Sequence, residues 1–375
     1  LLLGCSIQSP QKKQSLVLDS SWEFKEFDQG EWFSATVPGV VHLDLLNNQQ
    51  IPPPFHGNNE TDLLWIGEKD WEYRCVFEQT KDQLARSHVQ LVFEGLDTYA
   101  TAYLNGQKIL TSDNMFIRWE ADVKGLLKIG SNELFVKFHS PLSVNKDKQG
   151  SMGYELPAGC ETVANKVSPF TRKAPYHFGW DWGPRFVTSG IWKPVKLVYW
   201  DQTTIADVWV ATKSIEGGKA ELVCHAALQQ KYQAEGLMLE LEGVGAVGVG
   251  GSVTYSIPFE INNPKLWWPN GMGEPRLYEK WLWLKRDGRV LDSVRVRFGV
   301  RTIELVNEPD SIGTSFYFVV NGIPLFVKGA NYIPQDLFTP RVTDQQYHNL
   351  INGVKDANMN MLRVWGGGIY EKDLF

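Results

Sequence analysis

Short runs of alternating apolar and polar residues characterise the first 200 positions of the chain. Residues 88–95 and 132–138 are two such runs, and the second places Leu134, Val136 and Phe138 on one face of a strand. Asn105-Gly106 separates two further runs, which predicts a two-residue hairpin. A short helix is predicted near residues 40–46. Glycine- and proline-rich loops between the strands indicate a β-sandwich.

A second series of strands is predicted between residues 201 and 305. The runs at 220–228, 251–257, 280–285 and 294–301 are separated by clusters of Gly, Pro and Asn. About 100 residues of short strands is the size of an immunoglobulin-like sandwich.

After residue 305 the pattern changes from period two to a mixture of strand and helix. A hairpin is predicted at Asn321-Gly322, and Thr343 with Gln346 forms a capping-box signature before apolar residues at helical spacing. Residues 360–365 read as another strand, followed by three glycines. Strand, helix and strand in this order predict a βαβ unit with a parallel sheet. Only two barrel-type strands fit, and they cannot bury their faces alone, so we expect residues 306–375 to be an incomplete domain.

Composition narrows the class of function. The net charge of −6 leaves no basic field for nucleic acid, and no stretch reaches the ~20 apolar residues of a membrane-spanning helix. The fifteen Trp residues favour carbohydrate binding, because indole faces stack on the C–H faces of sugar rings. The alternative is that many of them fill sandwich cores. Apart from Cys5, three scattered cysteines are too few for a disulfide framework or a zinc site.

The N-terminus resembles the end of a bacterial lipoprotein signal. An apolar pair, Gly4, Cys5 and Ser6 stand in the order of such a signal, with Cys5 as the lipidated residue. Residues 1–5 are therefore expected to be the end of a signal, and the protein to be exported to the outer membrane or periplasm. A stray apolar terminus is the alternative.

Eight segments, in order, carry a resemblance to a known family. They are residues 37–44, 64–74, 93–98, 172–185, 266–271, 298–301, 321–331 and 362–368. Together they resemble the β-mannosidases of glycoside hydrolase family 2. Trp180-Asp181-Trp182-Gly183 and Arg363-Val-Trp365 are more similar to the mannosidase branch than to β-galactosidases or β-glucuronidases.

The resemblance implies a mostly β chain with a truncated α/β part. Residues 6–200 would form a galactose-binding-like (sugar-binding) β-sandwich, 201–305 an immunoglobulin-like β-sandwich, and 306–375 the start of a (β/α)8 TIM barrel. Active sites of such barrels lie at the C-terminal ends of the strands, so Asn331 and Trp365 would lie at the catalytic mouth. Trp365 could instead pack the barrel. Arg363 would pair with a barrel carboxylate or with a neighbouring strand.

Asp181 is the residue of the first domain with the strongest case for binding substrate. Its neighbours are apolar, and a buried carboxylate is costly unless a group donates hydrogen bonds to it. The resemblance implies that Asp181 reaches the terminal mannose and that Trp180 and Trp182 form a wall beside it. The alternative is a structural ion pair with Arg185 or Arg172.

Other acidic and basic residues give weaker signals. His42 and His177 show no metal-ligand spacing and are interpreted as solvated or core histidines. The pairs Glu94 with Asp97 and Glu240 with Glu242 are interpreted as ordinary surface residues. Trp267-Trp268-Pro269 is interpreted as structural.

The implied activity is that of an exo-acting retaining β-mannosidase, which hydrolyses terminal non-reducing β-D-mannose. Its two catalytic Glu residues are expected beyond Phe375, so none is assigned here and residues 1–375 alone are expected to be inactive. No metal or organic cofactor is required. Expected partners are β-mannosides or mannose-containing oligosaccharides, with no nucleic acid and a membrane only through Cys5. The alternatives are an exo-β-glucosaminidase and a non-catalytic carbohydrate-binding remnant.

Overall fold

The computed structural model describes residues 13–229 and 236–370, and Cys5 lies outside them. These residues form two compact units. The N-terminal unit comprises Gln14–Tyr199, Tyr332–Tyr347 and residues 364–370, and the second unit comprises Trp200–Asn331 and His348–Arg363. Over the described ranges, no helix combines the length and the apolar character needed to span a bilayer.

The first ten strands build a β-sandwich. They are β1 (Gln14–Val17), β2 (Trp22–Glu26), β3 (Phe33–Ser34), β4 (Trp71–Gln79), β5 (His88–Phe93), β6 (Tyr99–Leu104), β7 (Gln107–Ser112), β8 (Trp119–Asp122), β9 (Gly130–His139) and β10 (Val195–Trp200). One sheet has the order β3-β2-β4-β9-β6-β7, and the other has the order β1-β10-β5-β8.

Helices in the first 199 residues are short. They are α1 (Val41–Asn47), α2 (Asn59–Asp62), α3 (Lys81–Leu84), α4 (Pro141–Asn145) and α5 (Lys148–Ser151), with 3-10 turns at Leu64–Glu68, Ser168–Phe170 and Pro175–Phe178. The first of them confirms the helix predicted near residues 40–46.

Alternation along β9 directs one face of the strand into the core. Leu134, Val136 and Phe138 are completely buried, as the sequence pattern predicts. The predicted hairpin is also present, because Asn105 and Gly106 adopt positive φ angles of 50° and 81° between β6 and β7.

The second unit contains a smaller sandwich. Its strands are β11 (Thr204–Glu216), β12 (Lys219–Gln229), β13 (Leu237–Leu241), β14 (Gly245–Gly248), β15 (Thr254–Asn262), β16 (Tyr278–Arg286) and β17 (Arg289–Phe298). They form sheets of order β11-β12-β15 and β14-β13-β16-β17, which is the two-sheet arrangement of an immunoglobulin-like domain. The mostly β fold class is thus confirmed.

Trp267 has a structural position in this unit. A Cβ atom at Gly299 would lie 2.8 Å from the Cβ of Trp267, so only glycine fits beneath the indole. The guanidinium of Arg301 lies 4.6 Å from the ring centroid of Trp267. These contacts agree with the structural interpretation of the Trp267-Trp268-Pro269 segment.

A strand–helix–strand unit follows. The remaining elements are β18 (Ile303–Val306), β19 (Tyr317–Val320), β20 (Ile323–Leu325), β21 (Gly329–Tyr332), a 3-10 turn at Thr339–Arg341, α6 (Asp344–Asp356) and β22 (Met361–Val364). The amide of Asn360 donates to Lys328 and that of Trp365 donates to Tyr332, so β21 and β22 are parallel. This confirms the predicted βαβ unit, the repeating element of a (β/α)8 barrel.

The start of α6 follows the predicted capping box. The backbone N–H of Gln346 donates to the Thr343 hydroxyl, and the backbone N–H of Thr343 donates to the Gln346 side chain. No residue of α6 is buried, although its sequence has an apolar face.

Candidate functional site

Three of the predicted site residues form one aromatic cluster. The Trp365 ring centroid lies 4.8 Å from that of Trp180 and 5.7 Å from that of Trp182, both in edge-on geometry. Tyr176 completes the cluster at 5.6 Å from Trp182 and 6.5 Å from Trp365. We call Trp180, Trp182, Trp365 and Tyr176 the aromatic wall. Its three tryptophans are half-buried, so each keeps surface available for a ligand.

A tight turn presents two of these indoles. Trp180 and Gly183 exchange backbone hydrogen bonds of 3.2 and 3.3 Å, which places Asp181 and Trp182 at the corner. Gly179 enters the turn at a φ of 98°, a conformation that side chains other than glycine rarely adopt.

Trp365 directly follows β22 and lies over the glycine run. A Cβ atom at Gly367 would lie 2.3 Å from the Trp365 indole. The run therefore lets the indole lie against the backbone, which a larger residue at this position would prevent.

Asp181 is exposed, so the expectation that it is buried was wrong. The apolar residues beside it pack towards Trp365 instead of covering the carboxylate. Within the described part of the chain Asp181 forms no ion pair with Arg185 or Arg172. The Arg185 guanidinium lies 3.7 Å from Glu161 instead. The carboxylate is therefore accessible to a hydroxyl donor.

Asn331 and Arg363 contact each other. Nη1 of Arg363 donates to Oδ1 of Asn331 over 3.0 Å, between the neighbouring strands β22 and β21, and both side chains are exposed. This is the pairing with a neighbouring strand that was one of the two predictions for Arg363.

A buried polar network behind the wall was missed by the sequence interpretation. The sequence predicts a surface position for Asp97, but this residue is completely buried. Its carboxylate accepts hydrogen bonds from Lys173 at 2.6 Å, from Thr188 at 2.6 Å and from the Thr98 hydroxyl. Burial lowers the pKa of Lys173, and the negative charge of Asp97 opposes that change. No local signal marks the pair, because Asp97 and Lys173 lie 76 positions apart in the chain.

His177 and His42 are core histidines, which confirms one of the two interpretations. Nε2 of His177 lies 2.9 Å from the carbonyl oxygen of Leu337, and the His42 ring stacks on Phe338 at 5.3 Å. Burial lowers the pKa of His42 to about 3 and holds that of His177 well below its ordinary value, and the positive charge of Lys173 adds to both shifts. Both rings are therefore neutral at pH 7. Nowhere in the described ranges do three or more His, Cys, Asp or Glu side chains form a group that could hold a metal.

Asp44 is a second buried carboxyl group. It accepts hydrogen bonds from the Thr36 backbone at 2.8 Å and from the Tyr73 hydroxyl at 2.7 Å. Burial raises its pKa to about 7 despite these donors. It is buried, and its two hydrogen bonds link α1 to the preceding segment at Thr36 and to Tyr73 in β4.

Comparisons with known proteins place these features in a family context. Residues 22–193 match the family model described as "Glycosyl hydrolase 2 galactose-binding domain-like", and residues 201–301 match "Glycosyl hydrolases family 2". β-Mannosidase B of Emericella nidulans is 37% identical over 374 residues, which cover 96% of this chain and 44% of the relative.

Solved structures show the same relationship. A β-D-mannosidase from Dictyoglomus thermophilum is 44% identical with a TM-score of 0.88, over 96% of this chain and 45% of that one. An exo-chitosanase from Amycolatopsis orientalis shares the fold, with 20% identity and a TM-score of 0.71 over 98% of this chain and 41% of that one. The chain thus spans less than half the length of these relatives.

Proposed function

This chain belongs to glycoside hydrolase family 2, and on that premise we propose that the whole protein is an exo-acting, retaining β-mannosidase. It would release terminal non-reducing β-D-mannose from β-mannosides or mannose-containing oligosaccharides. Relatives named β-mannosidase at 37% and 44% identity support this substrate class.

The observation that carries the proposal is the aromatic wall with Asp181 at its edge. Indole faces of Trp180, Trp182 and Trp365 would pack on the C–H face of the sugar ring. The exposed Asp181 carboxylate, at the corner between two of the indoles, would accept hydrogen bonds from sugar hydroxyls. Apolar stacking beside a few convergent polar groups is the usual composition of a small-molecule site.

Asn331 and Arg363 are proposed as further contacts to the sugar. Arg363 holds the amide oxygen of Asn331, which leaves the NH2 group of Asn331 to donate to a hydroxyl.

The reaction would follow the two-step retaining mechanism. One carboxyl group acts as acid and base, and a second, about 5–5.5 Å away, forms the glycosyl-enzyme bond. We assign neither role to a residue of 1–375. What these residues contribute is binding and orientation of the terminal sugar, so that its anomeric carbon is presented in one pose.

The proposal is tested by assaying the purified whole protein on aryl β-mannoside, β-glucosaminide and β-galactoside. The expected result is the highest kcat/KM on the mannoside, with β-mannose as the first product anomer in NMR. Preference for the glucosaminide would contradict the substrate assignment. Sugar binding without hydrolysis of any substrate would contradict the enzymatic assignment and favour a carbohydrate-binding protein.

Export as a lipoprotein is a separate proposal, supported by the sequence around Cys5 alone. The native protein would partition with membranes, and Cys5→Ala would release it into the soluble fraction. Unmodified Cys5 in a soluble native protein would contradict the anchor.

A further inference from the structure

The segment after β21 is anchored in the core of the N-terminal unit. Leu337 is only 6% exposed and Phe338 is completely buried. The Phe338 ring lies 5.3 Å from His42 and 5.4 Å from Phe186. The packing of the Phe338 ring therefore fixes the segment directly after Leu337.

A hydrogen bond from a buried histidine holds the backbone carbonyl of Leu337. Nε2 of His177 lies 2.9 Å from the Leu337 carbonyl oxygen, and a carbonyl can only accept, so Nε2 carries the proton. Nδ1 of the same ring then faces the Thr188 hydroxyl at 3.4 Å. Thr188 is itself held by Asp97 and Lys173. The imidazole is thus fixed at Nε2 by the Leu337 carbonyl, and its Nδ1 edge packs beside the buried Thr188 side chain.

His177 lies beside one residue of the aromatic wall, and Leu337 belongs to the buried core against which the three tryptophans of the wall pack. Tyr176 precedes His177 in the chain, and their ring centroids are 4.5 Å apart. The methyl groups of Leu337 lie 3.7 Å from the position that a Cβ atom on Gly183 would occupy, so Leu337 faces the residue that closes the Trp180–Gly183 turn. Movement of Leu337 would therefore remove packing from the turn that carries two of the wall indoles.

We propose that His177 is a positioning residue, which acts through the Leu337 carbonyl to hold the aromatic wall in the geometry that receives the terminal sugar. The role in sugar binding rests on the proposed function. The role in wall geometry stands on the contacts alone.

The test compares His177→Gln with His177→Leu in the whole protein. A Gln amide nitrogen can occupy the place of Nε2 and donate to Leu337, whereas Leu removes the donor and leaves the carbonyl unpaired. The expected loss in kcat/KM on an aryl β-mannoside is about tenfold for His177→Leu, mainly through KM, with His177→Gln close to the parent. His42→Leu is the matched control, since it removes a buried imidazole that also touches this segment but forms no hydrogen bond to it.

A spectroscopic readout separates the two proposals. The edge-on indoles of Trp180 and Trp365, 4.8 Å apart, should give an exciton couplet in far-ultraviolet circular dichroism, identified by its loss in Trp365→Phe. The couplet should shrink in His177→Leu and persist in His177→Gln and His42→Leu. If the parent hydrolyses no glycoside but the couplet behaves in this way, the proposed function fails and the positioning role stands.

Two results would overturn the positioning role. One is a folded His177→Leu protein with the parent's couplet and KM. The other is a loss in His177→Gln and in His42→Leu that is as large as the loss in His177→Leu. If His177→Leu does not fold, His177→Asn replaces it, because its amide occupies the Nδ1 position and does not reach Leu337. Retention of the couplet in His177→Asn would then contradict the proposal.

Discussion

Replacing Lys173 by Met tests the buried network behind the aromatic wall. Met preserves the aliphatic length of Lys and removes only the ammonium group. The Lys173 and Asp97 side chains are 0% and 1% exposed, so the carboxylate would be left charged in the core with only hydroxyl donors. Removing one partner of such a buried pair costs about 3–5 kcal/mol. For a unit of this size we expect the Tm to fall by about 10 °C.

Lys196→Met provides the matched control in the same unit. Lys196 pairs with Glu94, and their side chains are 30% and 26% exposed, so water compensates for much of the lost interaction. The expected cost is at most about 1 kcal/mol. Urea dependence of hydrogen exchange at the buried amides of β9 would report on the N-terminal unit alone.

The expected ordering is a large loss for Lys173→Met and a small one for Lys196→Met. Adding Asp97→Asn to Lys173→Met should restore part of the stability, because the uncompensated charge is then absent. Equal losses in the two single variants would refute the reasoning, as would further destabilisation by Asp97→Asn.

Three further predictions concern the site, the pH dependence and the packing. In the whole protein, Asp181→Ala should lower kcat/KM on an aryl β-mannoside by about 10- to 150-fold per lost hydrogen bond and leave the Tm unchanged, while Asp62→Ala on exposed α2 should change neither quantity. A large fall in Tm for Asp181→Ala would instead indicate a structural role. Below about pH 6.5 the His42 ring binds a proton in the unfolded chain but not in the folded protein, where its pKa is about 3, so the parent loses stability as the pH falls. His42→Leu should reduce this loss. An unchanged dependence of Tm on pH would contradict the prediction. Gly299→Ala should lower the free energy of unfolding of the second unit by about 1–3 kcal/mol in urea, because the added methyl group would meet Trp267. Gly313→Ala should change it little, since the space around Gly313 is open, and equal effects of the two substitutions would contradict this packing.

Local sequence patterns predicted the elements whose cause is local. The Asn-Gly hairpin at Asn105 and the capping box at Thr343 depend on residues at most three apart, and both are present. The buried face of β9 likewise follows from strand alternation alone. The strand predicted from residue 251 begins instead at Thr254, because Ser252 forms a turn that holds the Thr254 amide.

Contacts between distant residues could not be predicted in this way. Asp97 and Lys173 are 76 positions apart, so nothing near Asp97 distinguishes it from a surface carboxylate. Asp181 shows the opposite error, since its apolar neighbours suggested burial. Only the position of Trp365, 184 residues further on, shows that these indoles pack away from the carboxylate.

The proposed function requires that the aromatic wall and Asp181 bind the terminal mannose. The most direct measurement is a crystal structure of the whole protein with a bound mannose-configured inhibitor. We expect the sugar ring to pack against Trp180, Trp182 and Trp365, with a carboxylate oxygen of Asp181 about 3 Å from a sugar hydroxyl. A sugar ring bound in the active site without contact to these indoles, and with Asp181 beyond hydrogen-bond distance, would contradict it.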